Sequence, residues 1–414
     1  MDAAGRQSAY EVAEDMRADG IKVLAVAYST TSSDWGDLVL CGFLGFFDRP
    51  KASARAAVRA LSDLSVEVRV LTGDSASVAR STCSRLGIPA DSVITGSMLD
   101  AMEESEALVR VGRPRVFAEP PPAQRAHVVS LIRLSGHTVG YIGDGVNDVP
   151  ALTSADVGIV VDSAAAESKK VADLVLLERD LGVVAEGVSE GRASFANASK
   201  YIRIASSSNF GNICSVAASS IFLPFLPATA AQLLLLNLCY DATCLALSWD
   251  NVDGEEIARP KAWSGKGLGS FMLHFGFASS AFDIITFAIL LLGVCPAVCG
   301  GSFATLDAAG QATFIATFQT GWLLECAWTE SLVLLVLRAR NVRHGDRPCR
   351  PLVIMVATML IASALLALSP AAQLLGLATL PMWYLGIVAL LSVLYLVVVS
   401  TIKRVYLSRS SSLF

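Results

Sequence analysis

Charged residues are scarce in this chain: Asp, Glu, Lys and Arg make up 17% of its 414 residues, against about a quarter in an ordinary soluble domain. With 53% hydrophobic residues and a mean hydropathy of +0.55, the chain as a whole is not an ordinary soluble protein. The net charge of −5 is unpatterned, which argues against a nucleic-acid partner. Histidine is rare, at four, and the four do not cluster; His274, near the start of an apolar stretch, reads as a helix-end residue rather than a ligand. Nine cysteines are scattered without a zinc spacing and read mostly as small buried hydrophobes. Cys295 and Cys299 alone share a predicted outer loop; their spacing and Pro296 constrain a disulfide, and whether they pair stays open. Residues 1–20 are charged and helical in pattern, so no secretory leader is expected in them.

The composition shifts near residue 200. Before it, βα patterns alternate with dispersed charge; after it come apolar stretches of about 20 residues, the length a bilayer needs. Six spans are expected, near 200–222, 228–248, 269–294, 311–337, 351–369 and 383–402. Basic residues collect in alternate connections: Arg259, Lys261 and Lys266; Arg338, Arg340, Arg343, Arg347 and Arg350; Lys403, Arg404 and Arg409. The intervening turns, near 223–227, 295–310 and 370–382, contain no Lys or Arg and a single acid, Asp307. The positive-inside rule then puts the soluble half and both termini in the cytoplasm.

In the soluble half, residues 21–28 and 38–47 read as strands. Further on, Val66-Glu-Val-Arg-Val-Leu-Thr-Gly-Asp74 is an apolar strand ending in a small polar turn, followed by a helix over 75–86. A second such strand, His137-Thr-Val-Gly-Tyr-Ile142, closes on Gly143-Asp-Gly-Val-Asn-Asp-Val-Pro-Ala-Leu152. Two carboxylates, Asp144 and Asp148, thus stand on a glycine-loosened turn at the carboxyl end of a strand. This suits Mg²⁺, a hard cation held by one or two carboxylates plus phosphate oxygens; the plain alternative is a polar βα turn with ordinary loop acids. Both turns should reach one sheet edge, the usual place for ligands in open α/β folds. There the Thr72 hydroxyl and Gly73 amide can donate to phosphate, Arg125 can supply a cation and Asn147 an amide hydrogen bond.

The order Thr-Gly-Asp, then Pro122-Ala-Gln-Arg, then the long Gly-Asp-Gly-Val-Asn-Asp motif resembles the phosphorylation domain of P-type cation ATPases. That resemblance implies an α/β haloacid-dehalogenase-like (Rossmannoid) domain followed by a helical membrane domain of six transmembrane helices. It continues through Asp156-Val-Gly-Ile, Glu178 and Glu190-Gly-Arg192. Ser207-Ser-Asn-Phe-Gly-Asn212, Phe225-Leu-Pro227, Asn237-Leu-Cys-Tyr-Asp241 and Trp249-Asp250 are most similar to the bacterial magnesium-transporting branch. The domains implied are a nucleotide-binding-domain tail at 1–40, a phosphorylation domain at 41–185 and the membrane domain at 186–414. ATP is the implied substrate, contacted through Thr72, Gly73, Asp74 and Arg125, which with Asn147 are the implied catalytic residues, and Mg²⁺ is implied at Asp144 and Asp148. The implied setting is the cytoplasmic membrane and its lipid.

The family's Asp-Lys-Thr-Gly-Thr segment, whose aspartate accepts the phosphoryl group, occurs nowhere in these residues. Nor do the Thr-Gly-Glu loop, the first four membrane helices or most of the nucleotide-binding domain. The chain therefore resembles the C-terminal portion of such a pump, and a separate N-terminal segment is an expected partner. Two departures stand out: Asp48-Arg-Pro-Lys51 where the hinge usually has Asp-Pro-Pro, and Arg125 where the family carries lysine. A planar guanidinium is no equivalent of a compact ammonium at a crowded phosphate.

Matched to the family, Asn209 and Asn212 occupy ion-site positions of one membrane helix, and Asn237 and Asp241 those of the next. At helical spacing each pair lies on one face, and the two faces are expected to converge with Asp241 as the principal charged ligand. Helix packing through small residues is the alternative for the Ser/Asn stripe. Asp283 and Glu325, in later spans, are weaker candidates. Three functions follow: an ATP-driven magnesium translocase present as its C-terminal portion, a non-catalytic remnant or regulatory Mg²⁺-binding subunit, and, opposed by the missing nucleophile, a tethered phosphatase. The predicted helix from about Leu181 into the first span would join phosphate chemistry to the membrane.

Overall fold

A computed structural model describes residues 3–29, 38–47, 49–263, 265, 267–339 and 347–409; Asp48, Lys266, Arg340 and Arg343 lie outside the described residues. The chain divides into two compact units, Met1–Ser189 and Glu190–Phe414.

In the first unit, α1 (Ala3–Ala18) precedes an antiparallel pair, β1 (Lys22–Ser29) and β2 (Leu38–Phe46). Then come α2 (Ala54–Asp63), β3 (Val70–Thr72), α3 (Ala76–Leu86), β4 (Val93–Thr95), α4 (Gly96–Asp100), α5 (Glu104–Arg110) and β5 (Val116–Ala118). The unit continues through α6 (Pro122–Leu134), β6 (Gly140–Gly143), α7 (Val149–Ser154), β7 (Val157–Val161), α8 (Ala166–Val171) and β8 (Leu174–Leu176). Proline at the first position of α6 suits a helix start, where its missing N–H has no partner to lose. That helix buries Val128, Val129, Leu131 and Ile132, a stripe at helical spacing.

The parallel strands form two sheets, ordered β3-β5-β4 and β6-β7-β8. Their middle strands are the most apolar and the most buried: Val116, Phe117, Ala118 and Val160 expose nothing. The single sheet edge expected from the sequence is corrected here. Among the described residues β3 bonds only β5 and β6 bonds only β7, so Thr72 ends, and Asp144 follows, strands of different sheets. The ladders are short because residues 66–69 and 137–139, just upstream, have no strand pairing.

The second unit begins inside α9 (Gly182–Ser219) and continues through α10 (Ala230–Cys244), α11 (Gly254–Ala258), α12 (Leu268–Ile289), α13 (Cys295–Cys299), α14 (Ala308–Leu337), α15 (Arg350–Leu368) and α16 (Met382–Arg409). Five helical stretches, Ala230–Trp249, Leu268–Thr305, Ala308–Leu337, Arg350–Leu368 and Met382–Ser408, are long and apolar enough to cross a membrane. The chain is a multi-pass membrane protein. The first expected span, 200–222, falls largely in the last part of α9, whose serines and asparagines leave it too polar to join those five. A π-type turn, Leu290–Val294, carries α12 into α13, so Cys295 and Cys299 lie on a helical turn rather than in an outer loop. Both thiols are free.

Close packing of α9 on α12 depends on glycine. A Cβ on Gly276 would stand 3.0 Å from the Ser207 carbonyl oxygen and 2.7 Å from the Phe210 ring. Contact this close exposes the Gly211 carbonyl to the Ser280 hydroxyl, which donates to it at 2.8 Å.

Asp250, just past α10, is the polar centre of this unit. Its carboxylate has no exposed surface and accepts from Arg338 Nε at 2.7 and 2.9 Å and from Lys200 Nζ at 3.4 Å. The Cys349 amide donates to it at 3.3 Å, and Asn197 Nδ2 donates to its carbonyl oxygen at 2.9 Å. Arg338, which the charge pattern assigns to an open cytoplasmic loop, is therefore a buried partner, 2% exposed. Removing one member of such a group strands the others without counter-charge, at a cost of about 3–5 kcal/mol. Asp250→Ala should lower the detergent-unfolding midpoint of the purified chain well below that of an exposed-site control such as Glu255→Ala. Equal midpoints would show that the buried charges contribute little.

Candidate functional site

In the first unit, residues from both sheets meet around Asp148. Thr72 ends β3, and its hydroxyl accepts from the Asp74 amide at 3.1 Å, so Thr72-Gly73-Asp74 forms a closed turn. Asp74 pairs with Lys22 at 2.9 Å. The Thr72 carbonyl accepts from the Glu119 amide at 2.8 Å, and Glu119 takes a left-handed φ of 59°, a conformation non-glycine residues adopt at some cost. Beyond it, Pro120 O accepts from Arg125 Nε at 3.3 Å, aiming the guanidinium across to Asp148 Oδ1, 2.9 Å away. A Cβ on Gly73 would lie 3.6 Å from the same guanidinium. Arg125 thus joins the turn after β3 to the turn after β6.

Asp148 is 7% exposed, and Oδ1 also accepts from the Tyr141 hydroxyl at 2.8 Å. Burial, and then the neighbouring Asp148 charge, push the Tyr141 pKa up, so the hydroxyl stays a donor at neutral pH. Oδ2 meets the amides of Asp144 and Gly145 only at 3.3 and 3.4 Å. Gly143 is required beneath this carboxylate, because a Cβ there would stand 2.6 Å from the Asp148 Cβ. Ser168, fully buried, donates to the Gly145 carbonyl at 2.8 Å and pins the turn from the far side. Asp144 and Asn147 are exposed, and the Asp144 carboxylate has no partner among the described residues.

The structure thus brings Thr72, Gly73, Arg125, Asp144 and Asp148 into one neighbourhood, turns Asp74 toward Lys22 and leaves Asn147 in solvent. Tyr141 and Ser168 were missed in the sequence. Tyr141 was visible as a polar-tipped residue in an apolar strand; Ser168 carries no local signal.

The four membrane-site residues have different partners. Asn212 is buried and donates to Glu330 Oε1 at 2.8 Å, whereas Asp241 is exposed and accepts from Tyr201 at 3.2 Å. Asn209 is exposed and Asn237 half-buried, and among the described residues no hydrogen bond links any two of the four. Glu330, five residues past Glu325 on α14, was not singled out, although an acid inside a span is itself a signal.

Residues 225–405 match the family described as cation transporting ATPase, C-terminus, and residues 8–156 and 126–188 match haloacid dehalogenase-like hydrolase families. An α/β domain that matches haloacid dehalogenase-like hydrolases, followed by a helical domain that matches the C-terminus of cation transporting ATPases, defines the class: the chain belongs to the P-type cation-transporting ATPases. Within it, the chain corresponds to the C-terminal portion of a bacterial magnesium-transporting member. It is 38% identical over 412 residues to a magnesium-transporting ATPase, P-type 1, of Salmonella typhimurium, and 36% identical over 407 residues to one of Escherichia coli. Those alignments cover 97% and 96% of this chain but 44% of each relative, so the chain spans less than half their length. An endoplasmic reticulum calcium ATPase of Aspergillus fumigatus is 31% identical over 245 residues, 57% of this chain and 25% of its own.

Gly143→Ala should force Asp148 away from Arg125 and destabilise the first unit by about 1–3 kcal/mol through overpacking; urea unfolding against the same change at exposed Gly187 checks it. A second test uses pH. Because the folded Tyr141 pKa is raised, its stabilising effect is complete below about pH 10, the unfolded value, and declines as pH rises toward the folded one. The stability gap between the native chain and Tyr141→Phe should therefore narrow above about pH 10, and a constant gap would contradict the buried-donor assignment.

Proposed function

We propose that this chain is the cation-translocating C-terminal part of an ATP-driven magnesium pump of the bacterial cytoplasmic membrane, with its first unit and both termini cytoplasmic. In this reading residues 1–40 are the tail of a nucleotide-binding domain, 41–185 the phosphorylation domain and 186–414 a membrane domain of six spans, the first of which is the polar end of α9. Thr72, Gly73, Asp74, Arg125 and Asn147 receive the phosphoryl oxygens. The oxygen donors present fit Mg²⁺: Asp144 is exposed and unengaged, and Asp148 Oδ2 has only long amide contacts. Bound there, Mg²⁺ would neutralise charge on the transferring phosphoryl group. Asp148 must loosen its hold on Arg125 to ligate fully, and the freed guanidinium can then reach phosphate.

The pair of open inner strands carries this reading. β3 and β6 each lack a partner on one side among the described residues, although strands at such positions in α/β folds are normally paired and covered on both faces. The flank of β6 is open too: its Ile142 is 40% exposed, whereas the middle strand β5 exposes nothing. One parallel strand between them would pair with both and deliver its last residue between Thr72 and Asp144, beside Arg125. The aspartate that this chain lacks belongs at that place. It would come from the part of the relatives' length not covered here, on the same or a separate polypeptide.

Other open surfaces agree. The β1–β2 ribbon exposes Leu24, Tyr28, Leu44 and Phe46 by 51–57%, as a fragment of a larger domain would. On the membrane helices, exposed Asn209 and Asp241 call for cover by further helices, because hydrocarbon cannot satisfy them. The non-catalytic reading draws on the Arg125–Asp148 ion pair, which closes the site in this chain.

The test is co-expression of the chain with the N-terminal part of a bacterial magnesium-transporting relative that supplies Asp-Lys-Thr-Gly-Thr. We expect co-purification, a Mg²⁺-dependent aspartyl phosphate, and a loss of turnover in Asp148→Asn of about a hundredfold or more. Assembly without phosphorylation would favour the non-catalytic subunit.

A further inference from the structure

The first unit holds a cavity of about 260 Å³ at the end of its sheet away from the candidate phosphate turn. Two of its walls come from residues just ahead of the parallel strands: Val68, two positions before β3, and Arg115, one before β5, whose carbonyl accepts from the Val70 amide at 2.8 Å. Those strands end on Thr72 and Ala118, so the cavity lies at their amino ends and is separate from the candidate phosphate site. Helix α2 supplies a third wall. Arg55 is followed at three, four and seven positions by Val58, Arg59 and Ser62, which puts them on one helical face, and all four line the cavity. Val58 and, from the turn after α3, Ile88 give it an apolar floor, 8% and 4% exposed.

Three guanidinium groups thus surround one small space. Arg115 meets its counter-charge only loosely, with Glu67 at 3.7 Å, and Glu67 is also held by Arg69 at 2.9 Å. Arg55 and Arg59 have no ion pair among the described residues, although Asp63 follows Arg59 by about one helical turn. The charge pattern of α2 adds to the imbalance. Its first turn holds Arg55 and no acid, its last residue is Asp63, and the Ser53 side chain makes no capping hydrogen bond. Both charges oppose the helix dipole, and an anion beside Arg55 would correct the first of them.

We propose that this cavity binds a small organic phosphate, its anionic group held by Arg55, Arg59 and Arg115 and its apolar part resting on Val58 and Ile88. Guanidinium groups pair phosphate oxygens two at a time, and three cations favour a dianion over a single carboxylate. An apolar floor with a few convergent polar groups is the ordinary build of a ligand pocket, and a volume below the roughly 300–1,000 Å³ of drug-sized sites keeps the occupant small. Because β3 runs from this cavity to Thr72, the ligand grips the entry to that strand without occupying the turn at its end. Binding here does not rest on the function proposed above.

The experiment is calorimetric titration of phenyl phosphate into the full 414-residue chain in phosphatidylcholine nanodiscs, in an Arg125→Gln background that removes the cation of the candidate phosphate site. One binding site is expected, at least about tenfold tighter for phenyl phosphate than for inorganic phosphate because the ring covers the apolar floor. Arg55→Gln and Arg59→Gln should each weaken it by about tenfold, and Arg110→Gln, an exposed change on α5, should leave it unaltered. Thermal unfolding of each variant separates ligand loss from misfolding. Nanodiscs containing phosphatidic acid identify the natural source: suppressed phenyl phosphate binding assigns the site to a lipid headgroup, unchanged binding to a soluble ester, and either supports the phosphate site. No binding by the folded chain, equal affinity for inorganic phosphate, or binding indifferent to both arginines would overturn it.

Discussion

A buried carboxylate in a helical membrane unit must be matched by positive charge and by donors, and Asp250 meets that constraint with Arg338, Lys200 and the Cys349 amide. The matching fixes which helices meet. Lys200 belongs to α9, Asp250 follows α10, Arg338 ends α14 and Cys349 caps α15, so one carboxylate ties four stretches of chain together. Apolar packing alone leaves helices in hydrocarbon free to rotate, since lipid and leucine are nearly equivalent partners. With α9 held at Lys200 and pressed on α12 at Gly276, the polar face carrying Asn212 and Ser215 points to Glu330 and Asp283.

The first unit works under the opposite condition, with pairing left open. Its two sheets each have a buried middle strand flanked by strands with one free side among the described residues. Arg125 joins the turn after β3 to the turn after β6, bringing Gly73 and Asp148 to the same guanidinium. An arginine rather than a lysine makes that bridge longer and planar, suited to holding Asp148 in place. The same contact that organises the site also occupies one of its ligands.

Much of this was legible from the residues. The strands over 21–28 and 38–47, the helix over 75–86 and the glycine turn at 143–148 follow from alternation, β-branched runs and turn chemistry, which act over a few residues. Five of the expected spans follow from length and hydropathy. The polar end of α9 did not read as clearly, because its serines and asparagines satisfy neighbours on α12 and α14 that sequence spacing cannot reveal. Arg338 read as a loop charge for the same reason: its partner lies 88 residues away in the chain.

By itself, the sequence determined the family and the order of an α/β part followed by a helical membrane part, because motif chemistry and hydropathy are local and residue-specific. Tertiary structure decided which acids share a buried volume. It joined Asn212 to Glu330 and Ser215 to Asp283, and split one expected sheet into two. Each outcome depends on helix rotation and strand pairing, which are set by contacts between residues far apart in the chain and by the cost of leaving a buried polar atom without a partner.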